Sequence, residues 1–154
     1  MSTTSHPFKE FETDSVATML EHRSSLFIGL GNGLIIEWNK PGEQKRSFVG
    51  HSKWIICLLA SGKNLWSSST EKIIKLWNIE TSECIHSIQM DSQTQCLVQW
   101  KHQIISGQSS EWNGVKPCIT VWNIDGSYKT NWNPVDQGNM SNSSASWNNC
   151  QGVE

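Results

Sequence analysis

Leu65-Trp66-Ser67-Ser68-Ser69-Thr70-Glu71-Lys72-Ile73-Ile74-Lys75-Leu76-Trp77-Asn78 holds the plan of this chain in miniature. Two short runs, Leu65 to Ser69 and Ile73 to Trp77, flank the turn Thr70-Glu71-Lys72, and each is too short for an ordinary helix. Before them lie a second turn, Ser61-Gly62-Lys63-Asn64, and a run from Trp54 to Leu59. Its Ile55-Ile56-Cys57-Leu58-Leu59 portion has no polar face, the pattern of a strand covered on both sides. After them Thr81-Ser82 turns the chain into Cys84 to Ile88. The reading is four antiparallel strands in succession.

The unit repeats. Trp38-Asn39 returns as Trp77-Asn78 39 residues later, and the same offset relates Leu20 to Leu59, Leu26 to Leu65, Ile35 to Ile74, Cys57 to Cys96 and Ser67 to Ser106. A third pair, Trp122-Asn123, comes 45 residues after Trp77, and the six extra residues fall in one turn, Gln108 to Pro117. The first repeat reads as strands Val16 to Leu20, Leu26 to Leu30, Leu34 to Trp38 and Arg46 to Val49. The third reads as Thr94 to Trp100, Gln103 to Gly107, Cys118 to Trp122 and Tyr128 to Trp132. Four antiparallel strands every ~40 residues make one blade of a β-propeller, a unit that buries its faces by stacking on its neighbours.

Gly50-His51, then Trp54-Ile55-Ile56-Cys57-Leu58, then Leu65 through Asn78 resemble the WD40 repeat family without a gap. That resemblance implies an all-β fold, a partial WD40-type propeller of about three four-stranded antiparallel blades. It also implies a hydrogen-bonded structural network of His51, Ser67, Glu71 and Trp77, with Trp38, Trp77 and Trp122 as repeat anchors. Glu71 stands where the family usually has Asp, and the counterparts of Gly50-His51 are Phe11-Glu12 and Met90-Asp91, so the full network is expected in the middle repeat alone. The resemblance runs over residues 8–132, with 1–7 expected as a flexible N-terminus and 133–154, rich in Asn and Ser, as a disordered tail. Closed propellers need about four to eight blades, so three imply an unclosed array with open faces.

Composition narrows the function. The 154 residues carry a formal charge of −2, only 17% are charged, and the basic residues are scattered among turns, which argues against nucleic acid as a partner. Met1 to Pro7 has the form of no secretory leader, and no apolar run approaches the ~18 residues of a membrane span, so a cytoplasmic or nuclear location is expected. The five cysteines lack a C-x-x-C pair and read as reduced thiols; the five histidines lack metal-ligand spacing. Gly29-Leu30-Gly31-Asn32-Gly33 reads as a hairpin turn, since no helix follows it to bind phosphate. With no P-loop, nucleophile elbow or zincin pattern, the chain is expected to be no enzyme and to need no cofactor or metal.

The nine tryptophans are the unusual feature. Trp54, Trp66 and Trp100 lie in or beside strands and are expected in the core, Trp54 at a strand entrance being the candidate for exposure. Trp112 and Lys116 fall in the inserted turn, which by resemblance projects on the same propeller face as the Gly50-His51 loop. Trp54, Trp112 and Lys116 are thus the candidate partner-binding residues of a non-catalytic scaffold that holds a protein or peptide. The resemblance extends to scaffold roles such as substrate reception in ubiquitin ligases. Two alternatives are a carbohydrate-binding propeller, from the tryptophan excess, and a regulatory fragment that pairs with a longer WD40 protein, or with itself, through open blade edges.

Overall fold

The computed structural model describes residues 12–110 and 114–132, and their regular structure is entirely strand. The first sheet comprises β1 (Val16–His22), β2 (Ser25–Leu30), β3 (Ile35–Lys40) and β4 (Glu43–Phe48). The second comprises β5 (Ile55–Ser61), β6 (Asn64–Ser69), β7 (Ile73–Asn78) and β8 (Cys84–Gln89), and the third β9 (Thr94–Trp100), β10 (Gln103–Gln108), β11 (Ile119–Asn123) and β12 (Tyr128–Trp132). Each is an antiparallel meander in chain order, with two to five residues between successive strands except for the ten between β10 and β11, connections too short for the crossover that a parallel pair requires. The turns use Gly42, Gly62 and Gly126 at positive φ, and Lys72 and Ser82 adopt positive φ without being glycine. The flexible N-terminus expected at 1–7, the start of the repeat region at 8–11 and the tail expected at 133–154 fall outside the described residues.

The repeat offset is preserved in three dimensions. Leu26 pairs with Trp38, Leu65 with Trp77, and Ile104 with Trp122. Each tryptophan also sits at a register shift between the third and fourth strands. An extra residue there bends the outer strand and re-aims the side chains beside it.

Stacking follows from which residues lie on which face. Phe27, Ile35 and Phe48 of the first sheet meet Ile55, Leu58, Leu65 and Trp77 of the second in one buried cluster. On the other side of the second sheet, Trp66, Ile74 and Leu76 meet Ile104 and Trp122 of the third. The middle sheet is therefore apolar on both faces, which explains the unbroken apolar reading of β5. Ile55, Leu65, Ile74 and Leu76 are fully buried, each contributing about 1.5–3 kcal/mol by removal from water. A polar clasp reinforces the first junction: Glu37, 1% exposed, lies 3.1 Å from Lys45 Nζ and 2.8 Å from Arg46 Nε, and the Arg46 guanidinium donates to the Ile79 and Glu80 carbonyls of the β7–β8 turn.

The third sheet's far face is different. Val98 and Trp100 are 53% and 58% exposed, although Val98 occupies the ladder position of the part-buried Leu59. Trp100, read as core in the sequence, is a surface residue because no sheet lies beyond β9 on that side among the described residues.

Candidate functional site

The loop entering β5 is the best-connected point of the described molecule. His51 Nδ1 donates to Glu71 Oε1 at 2.5 Å, because the carboxylate can only accept. Nε2 is then the acceptor for the Ser67 hydroxyl at 2.7 Å, and Ser67 Oγ accepts the Trp77 indole N–H at 2.8 Å. Glu71 also accepts from the Ser52 hydroxyl and backbone N–H. The longer glutamate reaches the imidazole because the turn before it is held down by Thr70 N–H to the Trp54 carbonyl (2.9 Å).

This arrangement sets the charge state. Burial pushes the His51 imidazole below its ordinary 6.5, the Glu71 carboxylate opposes that shift, and Lys75 adds to it. Partial burial would raise the Glu71 carboxyl, but the Ser52 hydroxyl and His51 together hold it below its ordinary value of 4.5. As pH falls past about 6.5 the unfolded chain binds a proton at His51 that the folded chain resists, so stability declines from there downward. Glu71 extends the loss at lower pH, because its unfolded carboxyl protonates before the folded one. The urea midpoint should therefore fall between pH 7.5 and 5.5, and His51→Gln should flatten that limb while lowering the plateau at pH 7.5.

The third sheet pins its tryptophan by another route, one that sequence reasoning missed. Trp122 Nε1 donates to Ser106 Oγ at 2.8 Å, but the donor reaching Ser106 is the Gln108 amide, also at 2.8 Å, from the same strand. Gln108 Oε1 in turn accepts from Thr120 Oγ1 at 3.3 Å. A carboxamide carries donor and acceptor on one planar head, so it takes the place beside the serine without titrating, donating to the hydroxyl where the imidazole accepts from it. The signal available was Gln108 at the position of Ser69, 39 residues on. In the first sheet Ile28 takes the place of Ser67, so no equivalent hydroxyl exists there, and Trp38 packs instead against Ile28, Leu30 and Ile36.

Of the candidate partner-binding residues, Trp54 is 44% exposed at the entrance to β5, with its ring so close to Gly31 that a Cβ there would lie 2.8 Å from it. Lys116 is exposed in the β10–β11 connection, and Trp112 lies outside the described residues. A chain of contacts makes the loops on this side one continuous rim. Gly31 N–H bonds Ser15, Thr70 bonds Trp54, Gln93 reaches Thr70 (3.5 Å), and Ser109 N–H bonds Gln93 (3.0 Å). Trp66, Trp77 and Trp122 are consumed by packing, which leaves Trp54 as the exposed indole on this rim among the described residues.

Among the described residues no group of three His, Cys, Asp or Glu side chains could hold a metal ion, and no helix is long and apolar enough to cross a membrane. Cys57, Cys84 and Cys96 are free, burial raising the Cys57 thiol to about 11. Cys118 is disulfide-bonded, which corrects the expectation that all five cysteines are reduced.

No protein-family model matches the chain. It is 33% identical over 70 residues to Zinc finger CCCH domain-containing protein 62 of Arabidopsis thaliana, a match covering 41% of this chain and 17% of that protein. Among solved structures it resembles the β-propeller domain of Myceliophteria thermophila Cps50 (Swd1), with TM-score 0.64 and 17% identity over 79% of this chain and 38% of that one. The WD40 repeats of RRP9 give TM-score 0.64 and 18% identity, over 80% of this chain and 40% of that one. The chain thus spans about two fifths of these solved propellers and under a fifth of the curated relative. Its fold is that of a partial WD40 β-propeller, three four-stranded blades in sequence.

Proposed function

We propose that this chain is a non-catalytic scaffold that binds a partner protein or peptide on the rim carrying Trp54. The observation that supports it is the half-exposed indole, set on a rigid seat against Gly31 while the other tryptophans of the middle blade are buried. An aromatic ring already fixed in place loses little entropy on binding, which is why such residues dominate interfaces. Lys53 and Lys116 stand exposed on the same side, as do Asp14 and Asp91, so the indole rather than charge supports the reading.

A second reading, pairing with another propeller chain, draws on the exposed Val98 and Trp100 of the third blade, whose counterparts in the second blade are covered by a neighbour. One experiment separates the two. Displayed peptides and propeller blades are selected against the chain, then counter-screened on Trp54→Ala and on Val98→Glu. Rim binding predicts ligands that lose at least about tenfold in affinity on Trp54→Ala, with thermal unfolding unchanged. Ligands lost only on Val98→Glu would favour the pairing reading, and an absence of Trp54-dependent ligands would remove the rim.

A further inference from the structure

The two blade junctions are built from the same ladder positions, but only the first is filled. There Ile35 pairs with Phe48, and both the Phe48 ring and the His51 imidazole pack on Trp77, with centroids 5.9 and 6.1 Å away. At the second junction Ile74 pairs with Ile88, which puts Ile88 in the place of Phe48 and Asp91 in the place of His51. Two rings are exchanged for a smaller aliphatic and an exposed carboxylate. The result is a cavity of about 240 Å³ bounded by Ile88 and Met90 on one side and Trp122 and Tyr128 on the other.

Much of its polar lining is engaged. The Trp122 and Gln108 donors are engaged with Ser106, the Thr120 hydroxyl with Gln108, and the Gln89 amide with the Lys72 and Met90 carbonyls. Asn131, only 9% exposed, has its Oδ1 buried with no hydrogen-bond partner, and the Asp91 carboxylate stands at the rim. Lys72, the cation at this edge, bonds the Asp91 backbone carbonyl at 3.3 Å. Ser92, Asn131 and Tyr128 bring donors of their own to the wall, but the acceptor buried there without a partner is Asn131 Oδ1, flanked by two aromatic rings set edge to face at 5.8 Å.

We infer that this junction is a binding site for an arginine side chain of a partner polypeptide. A guanidinium is planar, carries five N–H donors and no acceptor, and stacks on aromatic rings, so it matches the buried Asn131 oxygen, the Asp91 carboxylate and the paired rings. A neutral aromatic would leave Asp91 unanswered, and a carboxylate would face acceptors. The inference deepens the scaffold reading; the cavity adjoins the rim where it passes Gln93 and Ser109 but does not include Trp54, so Trp54→Ala and Asp91→Asn tell the two apart.

The test titrates the full chain with N-acetyl-arginine N-methylamide and follows the Trp122 indole N–H and Asn131 side-chain amide by NMR. Saturating shifts at both are expected in the millimolar range, as befits one side chain. The citrulline analogue, which keeps the shape and loses the charge, should bind at least about fivefold more weakly, and Asp91→Asn should weaken arginine binding about two- to fivefold. Tyr128→Ala, at a ring already 54% exposed, should weaken it without altering the fold. Shifts that fail to saturate, equal response to citrulline, or shifts confined to the Trp54 rim would each overturn the assignment.

Discussion

Replacing Trp77 with alanine should lower stability by about 3–5 kcal/mol, a large share of the roughly 5–15 kcal/mol that holds a domain folded. Trp77 is 1% exposed and packs against Phe48 and His51 across the first junction, so truncation empties the interface between two blades. Alanine also leaves Ser67 without its indole donor, although the imidazole still receives the serine proton. Two phenylalanine variants separate packing from hydrogen bonding. Trp77→Phe keeps most of the apolar bulk but removes an N–H that is used, and should cost about 1–3 kcal/mol. Trp66→Phe removes an N–H that is buried without a partner, so relief of that penalty offsets part of the lost packing. The smaller loss is thus expected at Trp66, although both indoles are buried to the same degree. Urea midpoints for the three variants check this, and equal costs for the two phenylalanine substitutions would show that the indole hydrogen bond contributes nothing.

The ease of reading the strands and the difficulty of reading the junctions have one physical origin. Strand and turn are local: the offset relating Leu26-Trp38 to Leu65-Trp77 is written in the order of residues, and the ladder keeps it. Junctions depend on what a face meets. Trp66 and Trp100 look alike in sequence, yet one is fully buried between blades and the other 58% exposed, because among the described residues only the first has a blade beyond it. Similarly, Gly50-His51 points to the network of the middle blade, whereas Gln108 offers only its repeat position, equivalent to that of Ser69; a glutamine near a strand end is ordinary until Ser106 and Thr120 are seen beside it. The Glu37–Arg46 clasp was equally hidden, since a charged residue in the middle of an apolar strand reads as a solvated face.

Gly33→Ala should destabilise the chain by about 2–4 kcal/mol, more than its place in a surface turn would suggest. Gly33 has φ of +90°, but backbone conformation alone does not require glycine there: Lys72, at the same point of the second repeat, holds φ of +65° with a full side chain. The difference is what stands opposite. A Cβ on Gly33 would come within 2.6 Å of the His51 carbonyl oxygen, 2.8 Å of its carbon and 3.0 Å of the Lys53 oxygen, all backbone atoms that cannot rotate away. The turn of the first blade is thus seated on the loop that delivers His51 to Ser67 and Glu71, and added bulk must either lift the turn or displace the imidazole. Gly62→Ala is the control, because φ there is +60° with nothing within 4 Å of the new carbon, which leaves only the left-handed strain of about 1–2 kcal/mol. If the steric seat matters, Gly33→Ala should cost clearly more than Gly62→Ala and should also blunt the acid limb set by His51, since a displaced imidazole regains solvent and its ordinary affinity for protons. Equal costs, with the pH profile unchanged, would mean that the two loops move independently and that the first blade does not position the network of the second.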